Sequence, residues 1–85
     1  MAEVIDYDSP VPPYRQVAAV LRARIESGEL ADGARLPSIS QLQQTYGIAR
    51  VTAVKAIRVL VSEGLAETVP GWGSYAKAPP PARKG

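Results

Sequence analysis

Apolar residues along this chain fall into three stretches of helical period and one that alternates. Tyr14, Val17, Leu21 and Ile25 recur every three or four residues, with Ala18 beside them and Arg15, Arg22, Arg24 and Glu26 pointing elsewhere. That period predicts an amphipathic helix of about four turns. Pro13 suits its first turn and Gly28 its stop. Asp32-Gly33 marks a turn, and Ala34 to Leu36 reads as a very short strand before Pro37. Ser38 followed by Gln41 fits a capping box, which predicts a short second helix with Ile39, Leu42 and Tyr46 inward and its end at Gly47. A third helix is expected from about Arg50 to Glu63, with Ala53, Ala56, Ile57 and Leu60 facing the core and Gly64 closing it. Its N-cap position falls on Ala49, a poor cap. Residues 66–69 and 74–77 then alternate around Pro70-Gly71-Trp72-Gly73, the signature of a β-hairpin. Three helices followed by a C-terminal β-hairpin wing make an α+β fold, a winged helix-turn-helix.

The two ends read differently. Residues 1–12 are acidic and poor in apolar side chains, with Pro10, Pro12 and Pro13 closing the segment, so a flexible acidic arm is expected there. Residues 78–85, Ala-Pro-Pro-Pro-Ala-Arg-Lys-Gly, are Pro-rich and end basic, which predicts a disordered tail. The folded domain is expected to span 13–77, without internal repeats.

Size and composition then narrow the function. A chain of 85 residues buries only about 60–65% of its unfolded surface, which leaves room for one modest core and no enlarged catalytic cleft. It contains no cysteine and no histidine. Disulfides, thiolate metal sites and the commonest transition-metal ligand are therefore missing, as are the usual acid–base and nucleophilic pairs. Neither an enzyme nor a metal or cofactor site is expected. The longest apolar run is only a few residues, and the acidic start is unlike a secretory signal, so the expected location is the cytoplasm, on the nucleoid through DNA.

Charge sharpens this further. The net charge of +2 is unevenly divided. Residues 1–32 hold six acids against Arg15, Arg22 and Arg24, while residues 33–62 hold Arg35, Arg50, Lys55 and Arg58 and no acid at all. The positive charge thus concentrates on the second and third helices. A short helix, a glycine turn and a basic second helix form the geometry that lays one helix in the DNA major groove. A solvated basic face is the bland alternative.

Beyond these signals, a set of landmarks occurs in order and at matching spacings. They are Pro13-Tyr14 with Gln16, Gly33, Arg35-Leu36-Pro37-Ser38, Leu42, Gly47-Ile48, Arg50, Thr52, Ala56-Ile57, Leu60, Glu63-Gly64-Leu65, Glu67 and Gly71-Trp72-Gly73-Ser74-Tyr75. Residues 13–76 carrying them resemble the winged helix of GntR-type bacterial transcription regulators. The resemblance implies double-stranded DNA as partner, transcriptional repression as the activity, and DNA contacts from Arg35, Ser38, Arg50, Thr52 and the wing glycines Gly71 and Gly73. It also implies a homodimer on an inverted-repeat site, here expected to form on DNA through the arm or the tail.

Several positions depart from the family. Ile39-Ser40 stands where Glu-Arg is common, so Ser40 occupies the place of a DNA-contacting arginine. Ala49 replaces a serine or threonine cap, Val54 a second arginine of the third helix, and Val69 an arginine of the wing. The family normally continues into an effector-binding and dimerising domain. With none in these residues no small-molecule ligand is expected, and the chain reads as a stand-alone regulator or as a piece of a longer one.

Residue by residue, Arg50 in the first turn of the third helix is expected to meet a guanine edge or, failing that, a phosphate. Val51 and Val54 are expected on or near the outer face, where they could pack on thymine methyls; otherwise Val54 packs on a neighbouring segment. Lys55 and Arg58 are expected at phosphates, and Thr52 at a phosphate or in a local cap. Trp72, between two glycines at the hairpin tip, is expected to touch DNA or a second protein unless it folds back onto the sheet. Two rival functions stay open: a winged-helix protein-interaction module, and an architectural accessory DNA-binding protein of a phage or plasmid.

Overall fold

The computed structural model describes residues 5–77. Three helices precede two strands: α1 (Pro13–Glu26), α2 (Ile39–Tyr46), α3 (Arg50–Ser62), β1 (Ala66–Val69) and β2 (Gly73–Ala76). The expected tail at 78–85, like residues 1–4, lies outside the described residues.

Each helix buries the stripe that its period predicts. α1 buries Val17, Ala18, Leu21 and Ile25, and α3 buries Ala53, Ala56, Ile57 and Leu60. Two alanines in that α3 stripe keep side-chain bulk low where α1 packs against it. α2 contributes Leu42 and Tyr46, with Ile39 partly covered. Among the described residues no polar or charged side chain is buried, so the core is wholly apolar.

Local chemistry ends the elements where they end. The Ser38 hydroxyl accepts from the Gln41 amide at 3.0 Å, and the Gln41 side chain accepts from the Ser38 amide at 2.8 Å, completing the capping box. Gly47 terminates α2 in the left-handed region at φ 64 and ψ 39, a conformation that costs a residue with a Cβ about 1 kcal/mol or more.

The entry to α3 lacks such a cap. Ala49 has φ −72 and ψ 158, nearly the backbone of the working cap Ser38 at φ −70 and ψ 165, yet it has no oxygen to offer. Ala49→Ser is therefore expected to stabilise the domain by about 1 kcal/mol in a urea melt. An unchanged midpoint would mean that this helix end is satisfied in some other way.

The hairpin pairs Ala66 with Ala76, Glu67 with Tyr75, Thr68 with Ser74 and Val69 with Gly73. The Trp72 amide donates to the Val69 carbonyl at 2.9 Å. With Pro70 and Gly71 (φ 79) at the two central positions, this is a type II turn, which requires positive φ at its third residue. The short strand expected at 34–36 is present as a bridge between Arg35 and Tyr75. The Leu36 amide donates to Ser74 O at 2.8 Å and the Ala76 amide to Ala34 O at 2.7 Å. The loop before α2 is thereby stitched to β2.

Residues 5–12 do not stand away as the flexible arm that their composition suggests. Ile5 is only 7% exposed and belongs to the core. Gln16 holds the segment against α1: its Oε1 accepts from the Asp6 amide at 2.9 Å, and its Nε2 donates to the Asp6 and Val11 carbonyls at 2.8 Å each. One apolar residue and one amide side chain outweigh the acidic, proline-bearing character of the stretch.

Of the α1 arginines that point away from the core, Arg15 is exposed, whereas Arg22 and Arg24 have acidic neighbours. Arg22 forms a two-pronged pair with Glu63, Nε to Oε1 and Nη2 to Oε2, both at 2.9 Å. This ties α1 to the end of α3. The bonds to Glu63 hold the Arg22 guanidinium above its ordinary value, partial burial opposing. A cation whose pKa is raised by folding contributes fully below the ordinary arginine range, so Arg22 holds its charge at all neutral pH. Arg24 lies 3.7 Å from Glu29.

Candidate nucleic-acid interface

Of the predicted site residues, Val54, Arg58, Gly71 and Gly73 line one groove between α3 and the wing, while Arg50 and Val51 open α3. Arg50 is the first residue of α3 and is exposed. Val51, next to it, is 61% exposed, the outward position expected of it. Thr52 is half-buried, and its hydroxyl makes no hydrogen bond among the described residues, so it does not cap the helix.

Val54 takes the second of its two expected placements, against a neighbouring segment. It is half-buried and lines the groove between α3 and the wing, with Ile39, Ile57, Val69 and Pro70. Three residues beyond Val51, it lies about 60° from it around the helix, at the border between the outer face and the hairpin. Arg58 lies on the rim of the same groove and is exposed. Lys55 leans the other way: its Nζ stands 5.6 Å from the centre of the Tyr14 ring, which Arg15 approaches at 5.4 Å. α1 thus steers one cation of α3 through an aromatic face.

At the start of α2 the capping box consumes the Ser38 and Gln41 amides, whereas those of Ile39 and Ser40 make no hydrogen bond among the described residues. Because Ser38 Oγ only accepts in the box, its hydroxyl proton is still available to a phosphate oxygen. Ser40, exposed on the first turn, adds a second hydroxyl. This is the arrangement of a helix N-terminus that attracts anions.

Arg35 is exposed and lies against the wing. A Cβ added to Gly73 (φ 120) would stand 3.3 Å from its Nη2 and 3.4 Å from its Nε, so glycine leaves the space that the guanidinium fills. Gly71 carries the turn, and Trp72 at the tip is 69% exposed, which rules out its folding back onto the sheet.

The cations differ sharply in their company. Arg22 and Arg24 are ion-paired, whereas Arg35, Arg50, Lys55 and Arg58 have no acidic partner among the described residues. Two residues escaped the sequence reading. Tyr14 positions Lys55, and the Tyr75 hydroxyl donates to the Trp72 carbonyl at 3.3 Å. A tyrosine at a half-covered strand position is itself a signal, since its hydroxyl needs a partner.

The family model for bacterial regulatory proteins of the gntR family matches residues 13–75. The chain belongs to the gntR family. Among curated members, it is 44% identical over 66 residues to the mannosyl-D-glycerate transport/metabolism system repressor MngR of Escherichia coli strain K12, covering 78% of this chain and 28% of MngR. It is 36% identical over 75 residues to the HTH-type transcriptional repressor NagR of Bacillus subtilis strain 168, covering 88% of this chain and 31% of NagR. The gntR-family chain described here therefore spans under a third of either relative. Among solved structures, the DNA-binding domain of AraR in complex with operator ORX1 superposes with a TM-score of 0.81 at 32% identity, over 88% of this chain and 95% of that one. The fold is thus that of a gntR-family winged-helix DNA-binding domain. Among the described residues, no helix is long and apolar enough to cross a membrane.

Proposed function

We propose that this domain binds double-stranded operator DNA sequence-specifically and represses transcription by occupying it. α3 enters the major groove, and two copies sit on an inverted repeat, pairing on the DNA. The reading rests above all on Arg35, Arg50, Lys55 and Arg58, which lie on or before the second and third helices and have no acidic partner among the described residues. Charges left unpaired on a small domain are what a polyanion requires. The likeness to an operator-bound domain and to two named repressors supports the same conclusion.

The roles divide by position. Arg50 reads a guanine edge, and Val51 offers its methyls to thymine. Thr52, Lys55 and Arg58 meet phosphates on the flanks of α3. Ser38 and Ser40, with the two open amides of α2, hold a further phosphate, and Arg35 with Gly71, Trp72 and Gly73 belongs to the wing contact. Val54 sets the spacing between α3 and the wing.

Selection of bound fragments from random-sequence DNA tests the reading: a defined motif with two symmetric half-sites supports it. Recovery of no motif, with weak retention on heparin, would instead favour a protein-docking module. Lys55→Ala and Arg58→Ala supply a separate check. Each is expected to weaken binding to all sequences alike and to flatten the plot of log K against log salt by about one unit, measured by fluorescence anisotropy. A sequence-selective loss would move that residue from the backbone to a base.

A further inference from the structure

The wing tip holds a large apolar side chain that the domain does not use for its own stability. Trp72 is 69% exposed and does not line the groove between α3 and the hairpin. Its backbone is nevertheless held on both sides. The amide is bonded to Val69 in the type II turn, and the carbonyl accepts the Tyr75 hydroxyl. Beside it, the Arg35 guanidinium lies over Gly73, the next residue. An indole on a tethered turn, adjoining a cation without an acidic partner, is a preorganised contact.

The geometry points to insertion of the Trp72 indole as a wedge at a base step of the minor groove, with Arg35 as the adjoining cation, so that binding bends the DNA. This rests on the proposed placement of α3 in the major groove, since the hairpin beside it then reaches across the backbone to the next minor groove. That groove is about 6 Å wide, too narrow for an indole to lie flat within it. The side chain therefore enters edge-on and opens a step, as apolar wedges of minor-groove proteins do, at the cost of unstacking. A narrow minor groove has the negative potential that draws an arginine in. The preferred site would carry a flexible pyrimidine–purine step opposite the wing. Tyr75 is a positioning residue here: its hydroxyl holds the Trp72 carbonyl and so the backbone from which the indole projects.

The test uses end-labelled duplexes bearing the selected motif. Affinity is measured by anisotropy, bend angle by energy transfer between the ends, and emission from Trp72, the single tryptophan of the chain. The intact chain should bend the duplex and show quenched emission on its motif. Trp72→Ala should abolish the bend and weaken binding about tenfold, within the range of one base–aromatic stack. Tyr75→Phe should keep the indole and the fold while reducing bend and quenching together. Equal bend and affinity in Trp72→Ala would overturn the wedge while leaving operator binding intact. Quenched emission on a straight duplex would overturn it as well, placing the indole along the sugar–phosphate backbone. If the unaltered chain bound no DNA, the functional reading beneath the proposal would fall instead.

Discussion

Arg50→Ala is expected to lower affinity for the selected operator by about 1–3 kcal/mol, roughly 5- to 150-fold, while binding to unrelated DNA falls far less. The side chain sits in the first turn of α3, exposed and without an ion pair among the described residues. Removing it breaks no side-chain hydrogen bond or ion pair among the described residues, so thermal stability should stay within about 0.5 kcal/mol of the unaltered domain. The loss is then attributable to DNA. Competition binding against duplexes altered one base pair at a time gives the decisive pattern. Discrimination should vanish at a single guanine per half-site. Arg50→Lys should restore charge but not discrimination, because an ammonium lacks the planar fork that spans O6 and N7. A uniform loss across all sequences would assign Arg50 to a phosphate.

The second large effect concerns the core. Leu60 is fully buried on α3, and its carbonyl also accepts the Leu65 amide at 2.8 Å where the chain turns toward the hairpin. Leu60→Ala is expected to cost about 2–5 kcal/mol through lost burial and the cavity left behind. A small domain has little more than that in total. For a chain of this size the cost corresponds to a fall in Tm of ~10–40 °C, read by circular dichroism. Below the new transition the surviving folded fraction should still select the same operator motif, since no DNA-facing group has changed. A fall of under 1 kcal/mol would show that the α1–α3 seam can close around the gap.

These two residues also mark what could be read from the amino acids and what could not. Leu60, the alanines at 53 and 56 and Ile57 were legible because a helical stripe is a property of near neighbours in the chain. So was the Ser38–Gln41 box, which needs only residues three apart. The exposed positions of Arg50 and Val51 follow from the same wheel. Val54 did not follow, because its half-burial depends on the wing, which reaches back to α3 through the hairpin. The Arg22–Glu63 pair joins residues 41 apart in the chain, and nothing in either neighbourhood announces it. The approach of Arg35 to Gly73 is likewise a product of tertiary folding, though the glycine hinted that something needed its space. At the N-terminus, composition alone did not announce that Ile5 is buried, because acids and prolines outnumber that one isoleucine.

That isoleucine has a practical corollary. The stretch recognisable by kinship begins at Pro13, yet the core already includes Ile5, clasped down by Gln16. The family match and the buried core therefore have different borders in this molecule. A version cut back to the recognisable motif would keep every proposed DNA-facing group and still uncover the apolar surface that Ile5 covers, which favours self-association.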